Sequence, residues 1–141
     1  MKWYFASRMR HREKLAKIAQ FLEEKGESVI SGWIHEGSLK PYQANLAKVQ
    51  TIAGQSISSL IEADIFVLIS DPEGTDMFIE LGVCLARDQL SPGSVKIYLV
   101  GEHSKRSLMQ LHPSIIHVAD LCELFEKEGI DCRDFPFPNL S

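Results

Sequence analysis

The stretch from Ala63 to Ile69 reads ADIFVLI and contains the longest fully apolar run of the chain, Ile65–Ile69. Its β-branched and aromatic residues predict a strand, and because neighbouring side chains of a strand point to opposite faces, both faces of this one are apolar. Such a strand is typical of a parallel sheet that helices cover on both sides. Five residues are also too few to cross a membrane.

Helical patterns alternate with this strand and with four further strand candidates. The candidates are Lys2–Ala6, Ser28–Ile34, Val95–Val100 and Ile115–Val118. The apolar positions at helical spacing include Leu15, Ile18, Ala19 and Leu22; Leu46, Val49, Ala53, Ile57 and Leu60; and Phe78, Leu81 and Leu85. Ser7 is the predicted N-cap of the first helix, and Asp120 caps the last. The alternation predicts a single α/β domain over residues 1–141, a doubly wound three-layer (α-β-α) flavodoxin or Rossmann-like fold with a parallel sheet of about five strands.

The composition limits the classes of function. With 24% charged residues and a net charge of -4, the chain lacks the basic character of a nucleic-acid-binding protein. Its three cysteines are an odd number without a C-x-x-C motif, which indicates a reducing, cytoplasmic compartment. The five histidines show no metal-ligand spacing, so we predict no metal site.

Two loops are the expected site. In doubly wound sheets, ligands bind outside the carboxyl ends of the strands where the strand order reverses. That rule selects SRMRHR after the first strand and SDPEGTD after the third.

Glu80 stands between Ile79 and Leu81 near the start of the helix that follows the second of these loops. Its distance from Thr75 and Asp76 does not fit a capping box. An acid near a helix N-terminus also stabilises the helix dipole, which is a purely structural role. The functional alternative is a nucleophile that faces a cationic transition state, as cleavage of a glycosidic bond requires.

Cations crowd the start of the first helix, where they face the positive end of its dipole. Arg8, Arg10 and Arg12 lie there, and a phosphate bound at that terminus would offset their repulsion. The alternative is a solvated basic face. No G-x-G-x-x-G or G-K-[ST] motif accompanies them, which argues against a Rossmann dinucleotide site or a P-loop.

Three other side chains are candidates for the same crevice. If Trp3 faces one helical layer, Tyr4 faces the other and can reach Glu80. Trp33 could line a base pocket, although core packing is the simpler role. Cys84 has no histidine near it in sequence and is predicted to be a small buried residue rather than a nucleophile.

The segments WYFASRMRHREKL and ADIFVLISDPEGTDMFIELGVCLA together resemble the nucleoside 2-deoxyribosyltransferase superfamily, which includes 2'-deoxynucleoside 5'-phosphate N-hydrolases. The resemblance covers roughly residues 2–100. It implies that Glu80 is a nucleophile that forms a glycosyl-enzyme, that Tyr4 orients it, and that no cofactor is needed. It also implies that Asp71 and Asp76 contact the substrate or transfer a proton, and that the protein is a homo-oligomer.

The expected substrate-binding residues are Ser7, Arg8, Arg10, Trp33 and Gly74, together with Asp71. The resemblance has two departures. The family often has an aspartate where this chain has Ser56, which we also assign to substrate binding. The N-hydrolases of the superfamily carry a glycine-rich GSIRGG loop for the 5'-phosphate where this chain reads ASRMRHR.

The predicted activity is cleavage of the N-glycosidic bond of a nucleoside or nucleoside 5'-monophosphate, by hydrolysis or by base exchange. Two alternatives stay open on the sequence. One is a nucleotide-binding or sensory module that kept the fold without catalysis, and the other is an NAD-cleaving enzyme.

Overall fold

The computed structural model describes residues 1–140, and within them five strands and four α-helices alternate along most of the chain. The strands are β1 (Lys2–Ala6), β2 (Ser28–Val29), β3 (Ile65–Ile69), β4 (Lys96–Val100) and β5 (Ile115–Val118). The helices are α1 (Arg12–Glu24), α2 (Leu46–Glu62), α3 (Asp76–Leu90) and α4 (Leu121–Lys127). The predicted α/β architecture is confirmed.

The sheet is entirely parallel, with strand order β2-β1-β3-β4-β5. β1 pairs with β3 in the register Trp3↔Ile65 to Ala6↔Leu68. From this central pair the chain moves outward to β2 on one side and to β5 on the other. The order therefore reverses between β1 and β3, and the loops after these two strands meet there.

Two hydrophobic clusters fill the space on either side of the sheet. Trp3 and Phe5 pack with α1 and α4 on one face, whereas Tyr4 and Phe66 pack with α2 and α3 on the other. Each of these aromatic side chains is fully buried and contributes about 1.5–3 kcal/mol through loss of apolar surface from water. The alternation along β1 is what turns Tyr4 toward α2 and α3.

The second strand is shorter than the predicted Ser28–Ile34. It ends at Val29, and a 3₁₀ helix, Gly32–His35, follows. The Ser31 hydroxyl accepts a hydrogen bond from the Phe5 N–H at 3.2 Å, and the Trp33 indole donates to the Phe5 carbonyl at 2.8 Å. These side chains occupy the backbone groups that a longer β2 would need, so the strand stops.

The predicted helix caps have different outcomes. Asp120 is the N-cap of α4, and its carboxylate accepts from the Glu123 N–H at 2.9 Å. Ser7 does not cap α1, because a 3₁₀ turn, Met9–His11, intervenes and His11 takes the cap position. The Ser7 hydroxyl instead donates to the Arg8 carbonyl at 2.8 Å.

Among the helices of residues 1–140, none is both long and apolar enough to cross a lipid bilayer.

Candidate active site

Glu80 begins the second turn of α3, and part of its carboxylate is sealed from solvent. Its Oε2 is buried and has no hydrogen-bond partner within residues 1–140. Burial raises the pKa of Glu80 from 4.5 to about 7, against the opposing effect of the Tyr4 hydroxyl and with a further rise from the Asp76 carboxylate. Both protonation states are therefore populated near neutral pH.

The Tyr4 hydroxyl approaches this carboxylate from the sheet. It faces Glu80 and the Ser56 hydroxyl of α2, but it forms no hydrogen bond of good geometry within the described residues. Burial, followed by the Glu80 carboxylate, raises the pKa of Tyr4 far above its usual value. Tyr4 therefore stays protonated and can donate a hydrogen bond to the ionised Glu80 carboxylate. β1, α2 and α3 thus bring together Tyr4, Ser56 and Glu80, three predicted residues that are far apart in sequence.

One face of α3 leads from the surface to this group. Asp76, Glu80 and Cys84 follow at intervals of four residues, which places them on the same side of the helix. Asp76 is exposed at the first helical position, and Cys84 is fully buried. Burial raises the pKa of the Cys84 thiol to about 12, so this sulfur is a poor nucleophile. Of the three, the two acids are the groups suited to acid–base or nucleophilic chemistry.

The predicted arginines meet carboxylates of the loop after β3. Arg10 donates to Asp71 at 2.5 Å, and Arg8 lies 3.4 Å from Asp71 and 3.1 Å from Glu73. Burial raises the pKa of Asp71, but the Glu73 N–H and the two guanidinium groups outweigh it and leave the pKa lowered. The chain itself therefore supplies anions to this cationic turn, a pairing that was not predicted from the sequence. The opposite charges of the two site loops, arginines in SRMRHR and carboxylates in SDPEGTD, were the available signal.

Gly74 has a structural reason to be glycine. Its φ is +127°, and a Cβ there would lie 2.7 Å from Met77 Cε and 3.2 Å from Arg8 Cδ. The loop after β3 is therefore packed closely against α3 and against the Arg8 side chain. Gly74 positions the loop, and a bound ligand could contact it only through the backbone.

Trp33 lines an open groove of about 710 Å³ between the 3₁₀ helix Gly32–His35 and α2. The groove also contains Ser56, which connects it to the surroundings of Tyr4. Glu36 and Glu62 lie at its edges, and much of its α2 wall is small or polar: Gln50, Thr51, Gly54, Gln55, Ser58 and Ser59. The sequence analysis did not identify this wall, although QTIAGQSISS is visibly rich in small and polar residues.

A second cavity of about 360 Å³ lies between α3 and the loop after β4. Asp71, Phe78 and Leu81 line it from one side, and His103 and Arg106 from the loop after β4. Among residues 1–140, Glu80 and Asp76 line neither of these two cavities.

The other predicted residues lie at the edges of this region. Arg12, at the start of α1, points to the Ile34 carbonyl at 3.5 Å rather than to the acidic loop. Ser7 lies half-buried just after β1. Within residues 1–140, no three His, Cys, Asp or Glu side chains are grouped so as to hold a metal ion.

No protein-family model and no curated protein sequence matches this chain. A solved structure, that of the CMP N-glycosidase BcmB from Clostridium botulinum, is similar with a TM-score of 0.54. The match covers 84% of this chain and 87% of that protein, at 21% sequence identity. The chain therefore shares its doubly wound α/β fold with that N-glycosidase over most of the length of both proteins.

Proposed function

We propose that this protein cleaves the N-glycosidic bond of a nucleoside or a nucleoside 5'-monophosphate, with Glu80 as the nucleophile. The observation that carries the proposal is the buried, unpartnered Oε2 of Glu80 beside the Tyr4 hydroxyl. The likeness in fold to a CMP N-glycosidase supports the choice of bond.

The electrostatics of Glu80 suit a reaction that develops positive charge. Its carboxylate is hard to ionise because burial removes water from the anion. A sugar with oxocarbenium character would bring the compensating charge only as the bond breaks, so the carboxylate would favour the transition state over the bound substrate. Glu80 would then bond to the anomeric carbon while the base departs with the electron pair of the glycosidic bond.

Tyr4 and Ser56 are proposed to hold the nucleophile in place. Tyr4 stays protonated, and a hydrogen bond from its hydroxyl would favour ionised Glu80 over the neutral acid. Ser56 lies beside the same hydroxyl and also lines the groove, so it is positioned for a sugar hydroxyl that enters from there.

Asp76 is the better of the two candidate acids for protonating the departing base. It is exposed, and it lies one helical turn before Glu80. Asp71 is instead held by two arginines, which lower its pKa and occupy its carboxylate oxygens. Water or a second base would then attack the glycosyl-enzyme and release Glu80.

A 5'-phosphate would have to share the arginines with the chain's own acids. The Glu73 side chain is 78% exposed, so its contact with Arg8 is the one that a phosphate could replace at little cost. Asp71 is buried and would keep its contact with Arg10. Arg8 is therefore the proposed phosphate ligand, and Trp33 the proposed stacking surface for the base.

The proposal includes self-association, which the sequence resemblance implies. Apolar side chains on α2 and α3 are exposed in the single chain: Leu46, Ile57, Ile61, Ile79 and Leu90. Light scattering on a size-exclusion column should give at least twice the 15.9 kDa of one chain, and Ile61→Glu should reduce it toward one chain. Wild type that elutes with the mass of one chain would contradict the proposed self-association.

A non-catalytic nucleotide-binding module is the second candidate. Two observations support this alternative. Glu80 lines neither cavity described above, and Arg8 and Arg10 are already paired with carboxylates of the chain. Tight binding of one nucleotide without turnover would support this module over the enzyme.

The deciding experiment measures released base from nucleosides, deoxynucleosides, their 5'-monophosphates and NAD, with and without a second free base. Glu80→Gln should lower the rate at least about 10³-fold, since it removes the nucleophile. Glu23→Gln makes the same change at an exposed position of α1 and should leave the rate unchanged. Equal rates for the two variants would exclude Glu80 as the nucleophile.

A further inference from the structure

Two of the three cysteines lie against each other far from Glu80. Cys122 is the second residue of α4, and Cys132 lies in the segment that follows this helix. Each sulfur is 3.8 Å from the backbone carbonyl oxygen of the other cysteine. Both are free thiols and half-buried. Because each sulfur lies against the main chain of the other cysteine, the two backbones are close together. A disulfide requires such a short distance between the two Cα atoms.

Backbone hydrogen bonds on both sides of the cysteine pair fix how the segment after α4 lies against that helix. After α4 the chain reverses at Gly129, whose φ is +74°, and the Ile130 N–H donates to the Phe125 carbonyl at 2.8 Å. Further along, the Pro138 carbonyl accepts from the Leu121 N–H at 3.0 Å, beside Cys122. The returning segment is thus held to both ends of α4, and the thiols do not depend on a flexible loop to meet.

We propose that Cys122 and Cys132 form an intramolecular disulfide when a disulfide oxidant such as oxidised glutathione is present. One cysteine thiolate attacks the oxidant and releases a first glutathione thiolate. The second cysteine then attacks the mixed disulfide and releases the other. The cysteines lose two electrons and two protons, and the oxidant becomes two glutathione thiols.

Cys84 does not compete for this reaction. It is fully buried in the cluster on the opposite face of the sheet, with α2 and α3. The Cys122–Cys132 pair lies on the α1 and α4 face. Burial, followed by contact with Cys132, raises the pKa of the Cys122 thiol to about 12, so the bond forms slowly at neutral pH.

The disulfide would clamp the C-terminal segment onto the core. Phe135 and Leu140 of this segment are buried in the same cluster as Trp3, and the Phe135 ring lies 5.1 Å from that of Phe125. Closing the loop between the two cysteines removes conformations from the unfolded chain. The melting temperature should rise by roughly 5–10 °C on oxidation.

The test uses the full chain, incubated with oxidised glutathione at pH 8 and then examined by intact mass, peptide mapping and thermal melting. Trypsin cleaves after Lys127, between the two cysteines, so a cross-link appears as two joined peptides. Wild type and Cys84→Ser should each lose the mass of two hydrogen atoms and melt at a higher temperature. Cys122→Ser and Cys132→Ser should gain one glutathionyl group at the remaining thiol of the pair and show no such rise.

Two results would overturn the proposed disulfide, and a third would refute its role as a clamp. The first is wild type that carries glutathione on single thiols without a cross-link. The second is a cross-link that involves Cys84 or joins two chains. The third is a Cys122–Cys132 bond that leaves the melting temperature unchanged, which would refute the clamp.

Discussion

Replacing Glu80 with glutamine is predicted to make the folded protein more stable above pH 7 and to leave its stability unchanged near pH 4.5. The reason is the difference in proton affinity between the folded and unfolded chains. Burial raises the pKa of Glu80 from 4.5 to about 7 in the folded state. Between these values the folded chain keeps a proton that the unfolded chain releases, so the free energy of unfolding falls as the pH rises. Glutamine has no proton to lose.

The size of the effect follows from the pKa. At about 1.4 kcal/mol per pKa unit, a rise from 4.5 to about 7 corresponds to roughly 3 kcal/mol. Part of the Glu80 side chain reaches solvent, which reduces the expected difference to about 2 kcal/mol at pH 8. For a chain of this length, that difference raises the melting temperature by roughly 8 °C.

The assay is urea unfolding of wild type and Glu80→Gln at several pH values from 4.5 to 8. Glu23→Gln serves as the matched control, because Glu23 is exposed on α1 and the chemical change is the same. The stability difference between Glu80→Gln and wild type should be near zero at pH 4.5 and should grow until about pH 7. A stability difference that is the same at every pH would refute the conclusion that burial raises the pKa of Glu80.

Three further predictions concern the residues around this site. Tyr4→Phe removes the hydroxyl that lowers the pKa of Glu80, so the rising limb of the pH–rate profile for base release should move to higher pH; an unmoved limb would contradict this. Gly74→Ala places a Cβ 2.7 Å from Met77 Cε at a positive φ and should lower the free energy of unfolding by about 1–3 kcal/mol. The control is Gly54→Ala in α2, where a Cβ would have nothing within 4 Å and should not destabilise the protein. Asp71→Asn should cost about 1–2 kcal/mol at neutral pH, because two arginines lose their buried partner. The pKa of Asp71 is lowered, so wild type should lose this stability as the pH falls below 3.8. Urea unfolding should therefore show a smaller difference between wild type and Asp71→Asn at pH 3 than at pH 7. An equal difference at the two pH values would contradict the prediction.

The alternation of hydrophobic patterns predicted the layers and the parallel sheet because both depend on local periodicity. A strand that is apolar on both faces, such as Ile65–Ile69, buries all of its side chains only in a sheet that helices cover on both sides. The alternation along β1 likewise predicted that Tyr4 faces away from the layer that contains Trp3. The predicted position of the site rests on strand order, which short crossovers restrict.

Only the tertiary structure decided which charges and backbone groups meet. The Arg8 and Arg10 side chains look unpaired in the sequence because their partner, Asp71, is some sixty residues away, on a different strand end. The second strand stops early because Ser31 and Trp33 bind the backbone of Phe5, a contact that no local pattern encodes. The sequence by itself determined which residues lie on which face of each element, since that depends on helix and strand periods. Packing determined how strongly Glu80 is desolvated, since desolvation depends on every element that surrounds the carboxylate.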